Sequence, residues 1–498
     1  MKKTLILFIY VIIPNLILLS TSGHDYSSYT ATSINTNLSG QTITNSNSDE
    51  SAVYITQSGI TITNSAISKS GDISDTENGE FYGENAAILV KGGGLTMTGG
   101  TITTTGKGAN ALVATNGGTV TISGTTITST ASSSARGLHA TYGGTITASD
   151  VTISSTGGSC ATLATDRGEG TVTCTGCTLS TSGAGSPLIY STGSISVTDT
   201  TGTSSGAQAV VVEGKNSVSL DSSTLECTAT PNNKDDSCGV LIYQSMSGDA
   251  DSGTSSFTCK DSTIKILSSS SYANTAPMFF VTNTAANINL EDCTFEAPSG
   301  TFLKVSEGDW GSSGSNGGTV TLTLTDQEIE GDITVDSSSS LTINLVNSSI
   351  KGTINNDKSA AKLAIVMDAD SSITLTGNSY YTSLQNSGSN NIDSGSYTFG
   401  TYDESESSSG SSGSNTGSTD RGSVVPPSKN TDSVSSTSST STEDSNDSDS
   451  SSIEIITASF SQNVYSLKKL LFSIALILSL FIYINYFIHS KMNKGELL

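Results

Sequence analysis

Charge is scarce in this chain, and positive charge is scarcest of all. Only 13% of its 498 residues are charged, where globular proteins carry about 25%. Acids outnumber bases 45 to 21, the net charge is −24, and only three arginines occur. That balance excludes nucleic acid as a partner, because phosphate binding needs a basic stripe. Aromatic residues make up 6%, with a single tryptophan. In their place stand Ser, Thr and 50 Gly. Such a composition suits either disorder or a repetitive β architecture. Strand-like stretches such as "TVTIS" and "TITAS" decide for the second.

Both ends carry apolar runs. "MKKTLILFIYVIIPNLILLSTSG" places Lys2 and Lys3 before an apolar core and small residues after it. This is a secretory signal pattern, expected over residues 1–22 with cleavage near Ser22. The second run, Leu470 to Ile488, has the length of a membrane-spanning helix. With a translocated body, the tail 489–498 faces the cytosol. The expected location is the plasma membrane or cell surface, with one C-terminal membrane helix and an extracellular body. Residues 401–455 are Ser/Thr-rich, acidic and nearly devoid of apolar side chains. They cannot bury a core and read as a stalk.

The body, residues 23–400, repeats. A strand-turn-strand unit recurs as "GTVTISGTTITST" (118–130), "GTITASDVTISST" (144–156) and "GTVTCTGCTLSTS" (170–182). A second unit follows each copy: "NALVATNGG" (110–118), "RGLHATYGG" (136–144), "CATLATDRG" (160–168), "QAVVVEGKN" (208–216). The period is about 23–26 residues where nothing is inserted, a solenoid spacing. One rung cannot bury its apolar face alone, so rungs stack and share a core. The fold expected is all-β, a single-stranded parallel β-helix of roughly a dozen coils, about 60 Å long. Helix is expected only at the two termini.

"ATDRGEG", "VVEGKNS", "LIYQSMSGDA" and "GDWGSSGSNGG" carry a resemblance to adhesin-like β-helix proteins of microbial surfaces, of the pectin-lyase-like class. It covers most of residues 50–385. The resemblance implies a right-handed helix and a surface location. It supplies no catalytic residues to carry over.

Aligned second units bring unusual side chains to one edge: Tyr142, Asp166, Arg167, Tyr190, Glu213, Lys215, Tyr243 and Gln244. Polar groups and Tyr rings along a solenoid suit a glycan or a surface-protein ligand. The alternative is a set of ordinary charged turns. Another column reads Tyr54, Leu89, Val113, His139, Leu163, Ile189, Val211, Leu241, Phe280 and Leu303. Its neighbours in the strand are apolar too, and alternation lets only one set face inward. The outward set needs a partner or a cover, for which the insertion 68–85 is a candidate.

Cys174 of "CTGC" falls in the core column of Ile122, Val197 and Leu220, so the motif does not read as a metal or redox site. No metal and no cofactor are expected. The credible disulfide is Cys227–Cys238, closing "TATPNNKDDS". "SGDADSG" (247–253) reads as a solvated loop, with weak calcium binding the alternative. Glycosylation sequons stand at Asn37, Asn347 and Asn446. Three functions remain open. The first is a surface adhesin or recognition protein. The second is a polysaccharide lyase or glycoside hydrolase, with Asp166 and Glu213 two coils apart. The third is a passive coat.

Overall fold

The computed structural model describes residues 24–233 and 236–402. The expected signal peptide, stalk beyond Tyr402, membrane helix 470–488, tail and Asn446 lie outside the described residues. Among the described residues no helix is long and apolar enough to cross a membrane.

Three long parallel sheets run along the molecule, and each of the first ten rungs gives one strand to each. The first sheet has twelve strands, from Ala31–Ile34 to Asp332–Val335. The second has fourteen, from Leu38–Ser39 to Ser383–Asn386. The third has ten, from Thr42–Asn45 to Thr294–Glu296, and a four-stranded sheet succeeds it from Glu328–Glu330 to Ile392–Asp393. This is a parallel β-helix. Fourteen stacked strands at about 4.8 Å give a body about 60 Å long.

The second sheet shows why this composition folds so. Val120, Ile122, Ile146, Val172, Cys174, Ile195 and Val197 point inward and are buried, while Thr119, Thr121, Thr147 and Thr175 between them face solvent. Register keeps like on like: Ile122 pairs with Ala148, Ala148 with Cys174, Cys174 with Val197 and Val197 with Leu220. Ser and Thr also build a corner. The backbone N–H of Cys177 donates to Thr200 Oγ1 on the next rung, Thr200 to Ser223 Oγ, and Ser223 to Ser262 Oγ. A ladder of buried hydroxyls thus satisfies amides that the turning backbone leaves unpaired. One residue earlier, Asp150, Asp199, Asp261, Asp292 and Asn347 all have φ between 47° and 54°. Asp and Asn tolerate that left-handed corner better than any residue except Gly.

Two expectations are corrected here. A seven-residue helix, α1 (Thr76–Tyr82), lies in the insertion 68–85, where no helix was expected. Asp75 caps it by accepting from the Glu77 N–H at 3.0 Å, and Gly83 ends it at φ 78°. A Cβ on Gly83 would stand 2.6 Å from Leu89 Cδ1, so glycine is needed for closeness as well as for the turn. The disulfide is Cys174–Cys177, and Cys227 and Cys238 are free. Cys227 packs in the interior cluster while Cys238 packs in a lateral cluster with Val211, Leu241, Tyr243 and Phe280. The two thiols sit on opposite sides of the wall.

Candidate functional site

Strands of the first sheet behave unlike those of the second. Ser51–Ile55, Leu112–Thr115, Val210–Glu213, Val240–Tyr243 and Phe279–Thr282 are buried at every position. Their inward residues meet the core, and their outward residues are covered by inserted segments. Toward one end α1 and Tyr29 cover Tyr54, Leu89 and Val113. Farther along, Trp310 of the 306–318 loop packs on Val211, Tyr243 and Phe280. The insertion 68–85 is therefore one of the covers.

The register also corrects the outward column. His139 pairs with Ala164, Ala164 with Tyr190, Tyr190 with Val211, and Phe280 with Lys304. Leu163, Ile189 and Leu303 belong instead to the interior cluster. A one-residue offset moves a side chain to the opposite face, and Ala164 was too small to mark its own column. Tyr190 thus stands beside the column of Asp166 and Glu213, not within it.

Between the two covers the outer face opens into a pocket of about 340 Å³. Its walls include Glu80 and Phe81 of α1, Arg136, Asp166, Tyr190, Glu213, Tyr243 and Trp310. Asn232, Asn233 and Asp236 close one edge, and Ser245, Ser247 and Asp249 the other. The loops that roof this enclosure are insertions flanking the first sheet.

Glu213 is the centre of the hydrogen bonding. It is 1% exposed, and the hydroxyls of Tyr190, Tyr243 and Ser245 all donate to it, Tyr243 at 2.9 Å. Burial pushes the Tyr190 and Tyr243 hydroxyls well above the usual phenol range, which keeps them as donors. Asp166 is the second carboxylate, 4% exposed, one residue past the strand Leu163–Thr165. Burial pushes its carboxyl up to about 7, against the opposing pull of Arg136. Arg136 holds Asp166 at 3.3 Å and Glu80 at 3.5 Å, tying the sheet to α1. His139, wholly buried, makes a second tie: its Nε2 donates to the Glu80 carbonyl at 2.6 Å. Burial lowers the His139 pKa to about 3, so the neutral ring makes that contact.

Of the eight expected site residues, Asp166, Tyr190, Glu213 and Tyr243 line the pocket. The other four frame it. Arg167 lies 3.7 Å over the Phe81 ring, and its Nε donates to Asp249 at 3.2 Å. Lys215 joins Glu169 at 2.8 Å and Asp251 at 2.9 Å. Tyr142 stacks on Tyr82 with ring centres 5.5 Å apart. Gln244 donates to the carbonyls of Ser245 and Ala250. Asp249 and Asp251 of "SGDADSG" are thus ion-paired, and the described residues contain no cluster able to hold a metal. The sequons Asn37 and Asn347 are exposed, and both side chains hydrogen-bond to adjacent rungs. Sequence reasoning missed Glu80, Phe81, Arg136 and Trp310. The signal that could have found them was the placement of the insertions, which collect at the two edges of one sheet.

Fold and site define a β-helix with a lateral pocket roofed by inserted loops. No family model matches the chain, and neither a curated protein nor a solved structure is significantly similar to it.

Proposed function

We propose that this is a surface-displayed recognition protein, adhesin-like in kind, whose lateral pocket binds a glycan. The observation that carries the proposal is the lining itself: rings of Phe81, Tyr190, Tyr243 and Trp310 beside buried carboxylates and an arginine. Sugars present apolar C–H faces and many hydroxyls, and such a lining answers both. The volume stands at the lower end of small-molecule sites, about 300–1,000 Å³. The terminal apolar runs and the Ser/Thr stalk support display on a membrane. The resemblance of the body supports a right-handed coil. A glycan array probed with the purified full chain tests the reading. Binding that Trp310→Ala weakens supports it, and absence of binding to every glycan overturns it in favour of a passive coat.

One observation favours a second reading. Asp166 and Glu213 sit two rungs apart on the same outward column, about 10 Å by stacking. That is close to the carboxylate separation of inverting glycoside hydrolases, about 6.5–9.5 Å. A carboxyl raised to about 7 can keep its proton near neutrality and serve as general acid. Hydrolysis on this reading declines as pH rises through about 7. Release of reducing ends from any bound glycan would establish it, and intact ligand after prolonged incubation would end it.

A further inference from the structure

The charge of the pocket narrows the ligand. Among the described residues five acids line it, Glu80, Asp166, Glu213, Asp236 and Asp249, against one base, Arg136. Arg136 is shared by Glu80 and Asp166, and Asp249 is paired with Arg167 outside the cavity. Glu213 is different. It is almost wholly buried, it lines the cavity, and among the described residues no cation forms an ion pair with it. Its three hydroxyl donors supply dipoles but no charge. Buried carboxylates are ordinarily matched by a cation, because desolvating an unpaired charge is costly.

A second observation comes from Arg136. The residue is 9% exposed and lines the pocket, yet its Nη1 has no hydrogen-bond acceptor in the protein. Glu80 stands 3.5 Å from it, at ion-pair distance only. Nη1 itself is sealed from solvent, so the Arg136 charge is spent on Glu80 and Asp166 and does not answer Glu213. The pocket thus offers, between aromatic walls, a carboxylate with no cation partner among the described residues. Aromatic faces also attract cations.

Resting on the glycan reading above, we infer that the ligand is an amino sugar with a free, protonated amine. The ammonium group sits at Glu213 among the Tyr190, Tyr243 and Trp310 rings. Uronic acids and sulfated sugars are disfavoured, since each anion would enter beside Glu213. Acetylation of the amine removes its charge and with it the main preference.

Calorimetric titration of the full chain in mild detergent tests this with five probes. They are a glucosamine hexamer, its N-acetylated form, cellohexaose, hexagalacturonate and a lysine hexapeptide. The glucosamine hexamer is expected to bind about tenfold or more tighter than cellohexaose, the margin of a charge-assisted over a neutral hydrogen bond. Hexagalacturonate is expected to bind weakest. Glu213→Gln should erase the preference for the amine. The wild-type comparison decides even where that variant fails to fold. Equal affinity for cellohexaose and the glucosamine hexamer, or preference for the uronate, overturns the amino-sugar inference and leaves glycan binding standing. Binding of the lysine peptide above every sugar, or no binding of any sugar, overturns both.

Discussion

The first and second sheets are built on the same rungs and obey the same register, yet their outer faces differ completely. On the second sheet the outward column reads Thr119, Thr121, Thr145, Thr147, and it meets solvent or nothing. On the first sheet the outward positions hold Leu89, Val113, His139, Tyr190, Val211 and Glu213, and nearly all are buried. The solenoid core is common to both and so does not distinguish them. Insertions make the difference. Segments at 68–85, 229–233, 245–253 and 306–318 leave the rungs at the edges of the first sheet and fold over it. A strand covered on both sides can carry outward apolar groups, and hold carboxylates away from water, as a solvent-facing strand cannot. The scaffold is uniform, and the chemistry is confined to the sheet that the loops roof.

That contrast can be broken at several points. The largest effect belongs to what the sheets share. Phe279, wholly buried, touches the rings of Phe257, Phe295 and Phe302. Phe279→Ala should cost about 3–5 kcal/mol by urea denaturation, and the loss should reach both sheets together.

The next effect belongs to the roofed face alone, and it appears as a pH dependence of opposite signs. His139 titrates near 3 in the folded chain against an ordinary 6.5, so the unfolded chain binds the extra proton between those values. Its contribution to stability is lost as pH falls through that window. Asp166 is raised from 3.8 to about 7, so the folded chain binds the extra proton. Its contribution is lost as pH rises from about 4 to 7. The two partly cancel between about pH 4 and 6.5. His139→Gln should therefore uncover a stability that only declines with rising pH over that range, by about 1.4 kcal/mol per unit at most. Urea midpoints taken at half-unit pH steps would show it. A curve parallel to the unsubstituted chain would contradict the assignment.

Trp310→Ala should weaken glycan binding by about 1–3 kcal/mol, the range for losing an aromatic contact in a desolvated site. Calorimetry reads that loss, and an unchanged affinity would move the ligand elsewhere. The smallest effect is expected on the second sheet. Thr147→Ala, on an exposed strand position, should stay within about 0.5 kcal/mol in stability and leave binding untouched. A clear loss of binding there would erase the distinction between the two faces.

The scaffold was legible because it is written as a repeat. "TVTIS" and "TITAS" alternate so cleanly that inward and outward positions follow directly, and register then needs only alignment. The first sheet was harder for the same reason that it matters. Its strands are buried on both sides, so hydrophobicity does not tell inside from outside, and Ala164 left its column unmarked. Half of the expected stripe reached the pocket: Asp166, Tyr190, Glu213 and Tyr243. Arg167 and Lys215 were visible only as charges, and nothing in the sequence tells that Asp249 and Asp251 neutralise them. Glu80 and Arg136 are separated by two rungs of chain rather than by a motif, and only the folding of α1 over the sheet brings them together. The disulfide was misplaced because spacing alone does not report which side of the wall a thiol occupies.

In "LATDRGEG" both outcomes meet. Asp166 enters the pocket, Arg167 clamps Asp249, and Gly168 and Glu169 turn the chain with φ 78° and 57°. A Cβ on Gly168 would lie 2.3 Å from the Tyr142 ring. A stretch that reads as one charged turn divides into a site residue, a clamp and a corner.

Hydrogen exchange of the full chain, with and without a saturating glycan chosen from an array, tests the central claim most directly. The account places new protection in the strands Val210–Glu213 and Val240–Tyr243 and in the loops 245–251 and 307–316. Protection confined to the second sheet, in strands such as Thr119–Ser123 and Gly144–Ser149, would contradict it.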